Sequence, residues 1–168
     1  MNSDSINIPE DRISALIGPK GFSKRKIENK GKVKLNISNN GNVTIISKEI
    51  ESLLSAKDIV EAVGRGFNPN IALRLFNEEF SLEIIDLISF TRSKARLELL
   101  RSRVIGRKGT ARRQIEIQTN TKLSIKGKTV SIIGKSEDVY LARRAIEMIL
   151  DGSHHGSSFR WLKDQLSD

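Results

Sequence analysis

Two copies of a short glycine-flanked loop constrain this chain more than any other feature of its 168 residues. The sequence GPKG at residues 18–21 recurs as GRKG at residues 106–109, and the surrounding stretches 16–28 and 104–116 align without a gap at an offset of 88. Both copies have Ile before the loop, Lys inside it and two successive basic residues after it. One G-x-x-G is common, but two copies in the same setting are rarely accidental. The pattern therefore indicates a duplicated module.

The similarity continues past the loop through the rest of each module. Turns tolerate the one-residue slips that helices and strands resist. With at most two such slips the remaining matches are 34–37 with 122–125, 43–46 with 130–133, and 56–63 with 142–149. Apolar periodicity in both copies predicts the order β-α-loop-α-β-β-α, with hairpins turning at Asn40-Gly41 and Gly127-Lys128.

We therefore expect an α+β fold of two small tandem modules, each a three-stranded sheet with its helices packed on one face. The first module is predicted at residues 5–66 and the second at 81–152. A connecting helix or linker is predicted over 67–80, and a C-terminal helical tail over 153–168.

Composition limits the functions that such a chain can carry. It has no cysteine and no run approaching about 18 apolar residues, and its polar first residues do not form a signal peptide, so we expect a soluble cytoplasmic protein without a membrane partner. His154-His155 lacks a third metal ligand at suitable spacing and is interpreted as a polar turn before the last helix. Because no catalytic constellation occurs in the sequence, we predict no metal, no cofactor and no enzymatic activity.

Positive charge is concentrated around the second loop. Residues 81–168 carry a net charge of +7, against +2 for residues 1–80, and nine basic residues face one acidic residue over 92–113. Such a focus implies a polyanionic partner, for which nucleic acid is the leading candidate. A solvated helix face explains most charge runs, but here the charge coincides with a glycine loop, and this coincidence favours binding.

The loop chemistry suits the sugar–phosphate chain of single-stranded RNA. Paired glycines let another backbone approach closely, and the following helix begins with free N–H groups at the positive end of its dipole. The aliphatic side chains of Ile105, Ile115, Leu123 and Ile125 are expected to floor a trough for unstacked bases. The candidate RNA-binding residues are Arg103, Ile105, Gly106, Arg107, Lys108, Gly109, Arg112, Arg113, Leu123 and Ile125 in the second copy, and Gly18, Pro19, Lys20, Gly21, Lys24 and Arg25 in the first.

This combination corresponds to the K homology (KH) arrangement, in which a GXXG loop clamps four backbone nucleotides. Both copies resemble KH domains of type I, with the order β-α-α-β-β-α. RRM and OB-type readers stack bases on aromatic side chains of their strands, whereas the strands predicted at 34–38 and 122–126 contain no aromatic residue. A purely structural turn is the alternative for each loop. The first loop is the weaker candidate because Pro19 has no N–H and acidic residues lie nearby, so a partner-binding or scaffolding role stays open there.

Longer stretches resemble one particular family. Segments within 10–21, 64–75, 128–134 and 152–156 are similar to an archaeal family of paired KH proteins, the partner-of-Nob or Dim-two-like rRNA-processing group. The resemblance covers nearly the whole chain. It implies a small-subunit ribosome assembly factor that binds pre-rRNA near its 3′ end and acts with the Nob-type endonuclease that matures that end.

Three functional hypotheses follow. The first is a non-enzymatic RNA-binding assembly factor for rRNA 3′-end processing. The second is a protein-docking adaptor, such as a partner of a translation initiation factor, whose contact with RNA is incidental. The third, a nuclease, lacks the clustered carboxylate or histidine motif that hydrolysis of a phosphodiester requires.

Overall fold

The computed structural model describes residues 1–167, which fall into two compact units, one over Met1–Phe80 and the other from Ser81 onward. Each unit contains one three-stranded sheet and has the element order that the repeat predicts. The prediction of two tandem α+β modules is confirmed. The finer division at residues 66, 80 and 152 stays a prediction.

The first unit places a hairpin and an N-terminal strand against three helices. Strands β1 (Asn2–Asn7), β2 (Val33–Ile37) and β3 (Asn42–Ser47) form an antiparallel sheet in the order β1-β3-β2. Burial alternates along β2 and β3 because successive side chains point to opposite faces, and Leu35, Val43 and Ile45 on the inner face are fully buried. The helices that cover this face are α1 (Ile13–Ile17), α2 (Phe22–Gly31) and α3 (Ile50–Gly64).

The segment after α3 belongs to the first unit. The connecting helix or linker predicted over 67–80 contains a short helix α4 (Pro69–Ala72) followed by a 3-10 turn (Leu73–Phe76). The side chain of Asn68 caps α4 by accepting a hydrogen bond from the Asn70 N–H at 2.8 Å. Leu73 and Leu75 are buried, and the turn packs against α3.

The second unit repeats this architecture and adds a helix. Its sheet has the order β4-β6-β5, built from β4 (Phe80–Asp86), β5 (Lys122–Lys126) and β6 (Thr129–Lys135). The helices are α5 (Lys94–Ile105), α6 (Thr110–Thr119), α7 (Ser136–Leu150) and the additional α8 (His155–Leu166). In the core of this unit, Leu100 and Val104 of α5 pack with Ile132 of β6 and Ile146 of α7.

The β-branched residues over 82–88 predict a strand that continues to Ile88, but strand β4 ends at Asp86. The side chain of Asp86 accepts a hydrogen bond from the Ile88 N–H at 3.1 Å, which closes a 3-10 turn over Leu87–Ser89. Helix α5 then begins at Lys94, with Ser93 as its N-cap. A local side-chain bond thus competes with continued strand pairing, although the residues themselves favour a strand.

Candidate nucleic-acid interface

The two glycine loops have the same backbone conformation. In the second loop the φ and ψ angles are 77° and 174° at Gly106, 55° and 27° at Lys108, and 74° and 15° at Gly109, and the first loop differs by no more than 3° at any of these angles. Lys108 is left-handed, a conformation that residues with a side chain rarely adopt. Such a residue persists only where its surroundings hold it, and it is frequent at ligand-binding positions.

The two glycines of each loop have different roles. A Cβ added to Gly106 would lie 2.6 Å from the Cβ of Ala111 and 2.7 Å from its backbone N, so the start of α6 leaves no room for a side chain there. A Cβ on Gly109 would meet only the end of the flexible Arg113 side chain, with Nη1 at 3.1 Å. The first glycine is therefore required by packing. The second lies on the open side of the loop, where another backbone can approach.

Cationic side chains surround the open side of the second loop. Arg107, Lys108 and Arg113 are exposed, and Arg112 is half-buried. The loop backbone is held internally, since the Gly109 N–H donates to the Gly106 carbonyl at 3.2 Å. A fixed backbone with exposed cationic side chains is the combination that preorganised phosphate sites have.

The first loop has the same frame with fewer free cations. Pro19 and Lys20 are exposed, and Lys24 is half-buried. The guanidinium of Arg25 donates to the Lys20 carbonyl at 2.7 Å, so this side chain folds back onto the loop. Because Pro19 stands where the second loop has the exposed Arg107, the first loop presents less positive charge to a ligand than the second.

The predicted aliphatic trough is partly wrong. Ile105 at the end of α5 and Ile125 on β5 are half-buried and keep an exposed edge. Leu123 is only 4% exposed and Ile115 is 0% exposed, and both belong to the core of the unit. Leu123 faces inward because it lies on the core face of β5, and Ile115 lies on the inner face of α6. Neither side chain is able to touch a base, so only Ile105 and Ile125 remain as candidates for the predicted floor.

Arg103 is also wrongly predicted as an RNA ligand. Its guanidinium donates to the carbonyl of Ile149 at 2.7 Å and to the carbonyl of Ser153, at the end of α7. The Nε2 of His155 donates to the Arg103 carbonyl at 2.6 Å, and its ring stacks on Phe159 of α8. Arg103 and His155 thus join the first helix of the unit to its last. This gives His155 a structural function beyond that of the predicted polar turn.

Two glutamates, Glu28 and Glu116, fix the spacing between a helix and a strand. Neither is among the residues predicted from the sequence. Oε2 of Glu116 on α6 accepts a hydrogen bond from the Leu123 N–H on β5 at 2.9 Å. Glu28 does the same for the Leu35 N–H in the first unit, also at 2.9 Å. These bonds hold an edge strand against the helix that follows each loop. The sequence signal that could have identified these glutamates is the Ile-Glu pair that recurs at residues 27–28 and 115–116.

The cluster of basic residues over 92–113 does not lie around one loop. Helix α5 has 12 residues, a length of about 18 Å at 1.5 Å per residue. Arg92 and Lys94 lie at its start, whereas Arg107 and Lys108 follow its end. The sequence cluster is therefore two separate patches, and the expectation of a single focus at the second loop is wrong.

Within residues 1–167, no three His, Cys, Asp or Glu side chains come together in a way that could hold a metal ion. No helix in the same part of the chain combines the length and apolar character needed to cross a membrane.

Family models agree with this geometry in both units. A model described as "Eukaryotic type KH-domain (KH-domain type I)" matches residues 81–166, and a KH domain model matches residues 3–62. The fold and the two loops thus define a protein with two tandem KH domains.

Comparisons of the whole chain with known proteins and solved structures identify the family of tandem KH proteins to which it belongs. A KH domain-containing protein of Methanocaldococcus jannaschii is 43% identical over 162 residues, covering 94% of this chain and 71% of that protein. The crystal structure of Dim2p from Pyrococcus horikoshii is 41% identical, covers 98% of this chain and 99% of its own, and has a TM-score of 0.91. Dim2p in a complex with a/eIF2alpha and rRNA from the same organism has a TM-score of 0.90 at 41% identity, covering 98% of this chain and 93% of that one. The chain belongs to the family of archaeal paired KH proteins that includes Dim2p.

Proposed function

We propose that this chain is an RNA-binding ribosome biogenesis factor that holds single-stranded RNA through its GXXG loops. The observation that carries the proposal is the loop geometry. A left-handed lysine sits between two glycines, one closed by packing and one open to solvent, and the arrangement recurs in both units. A duplicated turn with a purely structural role would have no need of an exposed cation between two glycines, one of which is open to solvent.

In the proposed binding mode, the phosphates of the strand lie against the backbone at Gly109. Lys108, Arg107 and Arg113 neutralise these phosphates, and a GXXG loop of this kind clamps about four nucleotides. Unstacked bases lie over the exposed edges of Ile105 and Ile125. The first loop acts in the same way with a smaller electrostatic contribution.

The proposed target is the 3′ end of small-subunit rRNA. The long family motifs imply this target, and the complex of the related Dim2p with rRNA supports it. The proposed partners are a Nob-type endonuclease and, as that same complex suggests, a translation initiation factor. The proposed activity is binding alone, in the cytoplasm, with cleavage left to the endonuclease.

The test is a fluorescence anisotropy titration with a labelled RNA of the small-subunit rRNA 3′ end, a scrambled RNA of equal length serving as the control. Contact with about four phosphates predicts that log K falls with log salt at a slope of roughly −3, since each phosphate contributes about −0.7 for a single strand. We expect tighter binding of the rRNA sequence than of the scrambled one. A flat salt response would reject RNA binding in favour of a protein-docking adaptor, and equal affinity for both RNAs would reject the rRNA 3′ end as the target.

A further inference from the structure

A second cationic site lies in the second unit, at the far end of α5 from its glycine loop. A cavity of about 600 Å³ lies between the start of α5, the turn after β4 and the β5–β6 turn. Three basic side chains line it: Arg92, Lys94 and Lys128. The first two are near each other in sequence, whereas Lys128 reaches the cavity only through the fold.

The position of Lys128 in this cavity is fixed by the backbone. Its carbonyl accepts a hydrogen bond from the Leu87 N–H at 2.8 Å, which ties the β5–β6 turn to the end of β4. Arg92, Lys94 and Lys128 are all exposed, and none of them forms an ion pair within residues 1–167. One carboxylate, that of Asp86, lines the same cavity, so the three cations outnumber the acidic groups there and attract an anion.

The rest of the lining suits a nucleotide better than a simple anion. Leu97 and Ile88 supply an apolar surface, and the Ile88 side chain is 47% exposed. Asp86 faces the same cavity, and the Ile88 N–H already engages one oxygen of its carboxylate. The other oxygen is available to accept a hydrogen bond from the exocyclic amino group of a base. Cations for phosphate, an apolar floor for ribose or base, and one acceptor are the components of a nucleotide subsite.

Helix α5 connects this cavity to the glycine loop. It spans about 18 Å, a distance that a single strand covers in a few nucleotides. We propose that the cavity between Arg92, Lys94 and Lys128 is a second subsite for the same RNA strand, binding a nucleotide that flanks the four held at the GRKG loop. This subsite rests on the proposed function, and it would lengthen the RNA segment that the second unit recognises.

The experiment compares two RNAs and two triple variants of the full chain. One RNA is a tetranucleotide, which fills the loop alone, and the other is a decanucleotide containing the same four bases at its centre. The test variant is Arg92→Ala/Lys94→Ala/Lys128→Ala. The control variant, Lys135→Ala/Arg144→Ala/Lys163→Ala, removes the same charge from exposed positions that do not line the cavity. Circular dichroism melting confirms that both variants fold.

We expect the test variant to bind the decanucleotide roughly tenfold more weakly than wild type, with a salt slope smaller by about 2, because up to three phosphate contacts are lost. Its affinity for the tetranucleotide should stay within about twofold of wild type, and the control variant should bind both RNAs nearly as wild type does. Equal losses in the two variants, or an unchanged decanucleotide affinity in the test variant, would overturn the subsite while leaving the loop assignment intact. If wild type binds neither RNA, the proposed function fails, and the subsite fails with it.

Discussion

Replacing Gly109 with Asp tests the phosphate cradle directly, provided that the strain of the substitution is separated from its charge. The residue has a φ of 74° and a ψ of 15°, so any side chain there is left-handed. Asn and Asp tolerate this region better than other residues with a side chain. Gly109→Asn therefore carries the same Cβ and nearly the same volume as Gly109→Asp, and the two variants differ in charge alone.

The size of the charge effect follows from the loop geometry. A carboxylate at position 109 lies where a phosphate is proposed to approach, at a separation of about 4–6 Å. With an effective dielectric constant between 20 and 80, the repulsion is about 1–4 kcal/mol, which corresponds to roughly a five- to 700-fold loss of affinity. The new carboxylate also lies close to the Arg113 guanidinium, 3.1 Å from the position of the added Cβ, and diverts that cation from RNA.

The measurement is a fluorescence anisotropy titration of single-stranded RNA with wild type and both Gly109 variants at one salt concentration. We expect Gly109→Asn to remain close to wild type and Gly109→Asp to bind far more weakly. Gly106→Asp is unsuitable as a probe because its Cβ would collide with the backbone of Ala111. If the Asn and Asp variants bind RNA equally well, no phosphate lies at this loop and the electrostatic reasoning is wrong.

Three further predictions concern the first loop, the spacing between helix and strand, and pH. Gly21→Asp should weaken RNA binding less than Gly109→Asp in the same titration, since the first loop has fewer free cations; equal losses would contradict this ranking. Glu116→Ala should lower the free energy of unfolding by about 1–3 kcal/mol in urea denaturation, because the Leu123 N–H loses its acceptor; an unchanged midpoint would mean that water replaces the carboxylate. The hydrogen bond from Lys57 at 2.9 Å lowers the pKa of Asp4. The ionised carboxylate therefore stabilises the folded protein at pH values above the ordinary aspartate pKa of about 3.9. This stability is lost as the pH falls through the lowered pKa of Asp4. The melting temperature of wild type should exceed that of Asp4→Asn at pH 7, and this difference should vanish in strong acid; a difference that is independent of pH would rule out the ion pair.

The two units also show which parts of a duplicated sequence are held by backbone geometry. All four non-glycine residues with positive φ in the described part of the chain form two pairs at an offset of 88: Lys20 with Lys108, and Lys32 with Asn120. The first pair lies in the loops and the second ends the helices that follow. These conformations depend on local contacts within each loop–helix segment, so the second pair recurs although its side chains differ.

The local sequence pattern alone determined the order of helices and strands, the hairpin turns and the positions of both glycine loops. Apolar periodicity and glycine placement act over a few residues, and these short-range preferences survive folding almost unchanged. The predicted end of β4 was wrong for a local reason as well. The strand ends at Asp86 because the side chain of Asp86 accepts a hydrogen bond from the Ile88 N–H.

Tertiary packing decided which side chains the solvent can reach. Leu123 and Ile125 have equivalent positions in the strand pattern, yet only Ile125 keeps an exposed edge, because it lies farther from the centre of the core. Arg103 belongs to the same basic run as Arg107, but it faces the end of α7, 46 residues away, and caps that helix. Lys128 and Arg92 line the same cavity only because the folded sheet brings the β5–β6 turn close to the start of α5. Accessibility and charge clustering depend on contacts between distant segments, and a sequence read residue by residue contains no measure of those distances.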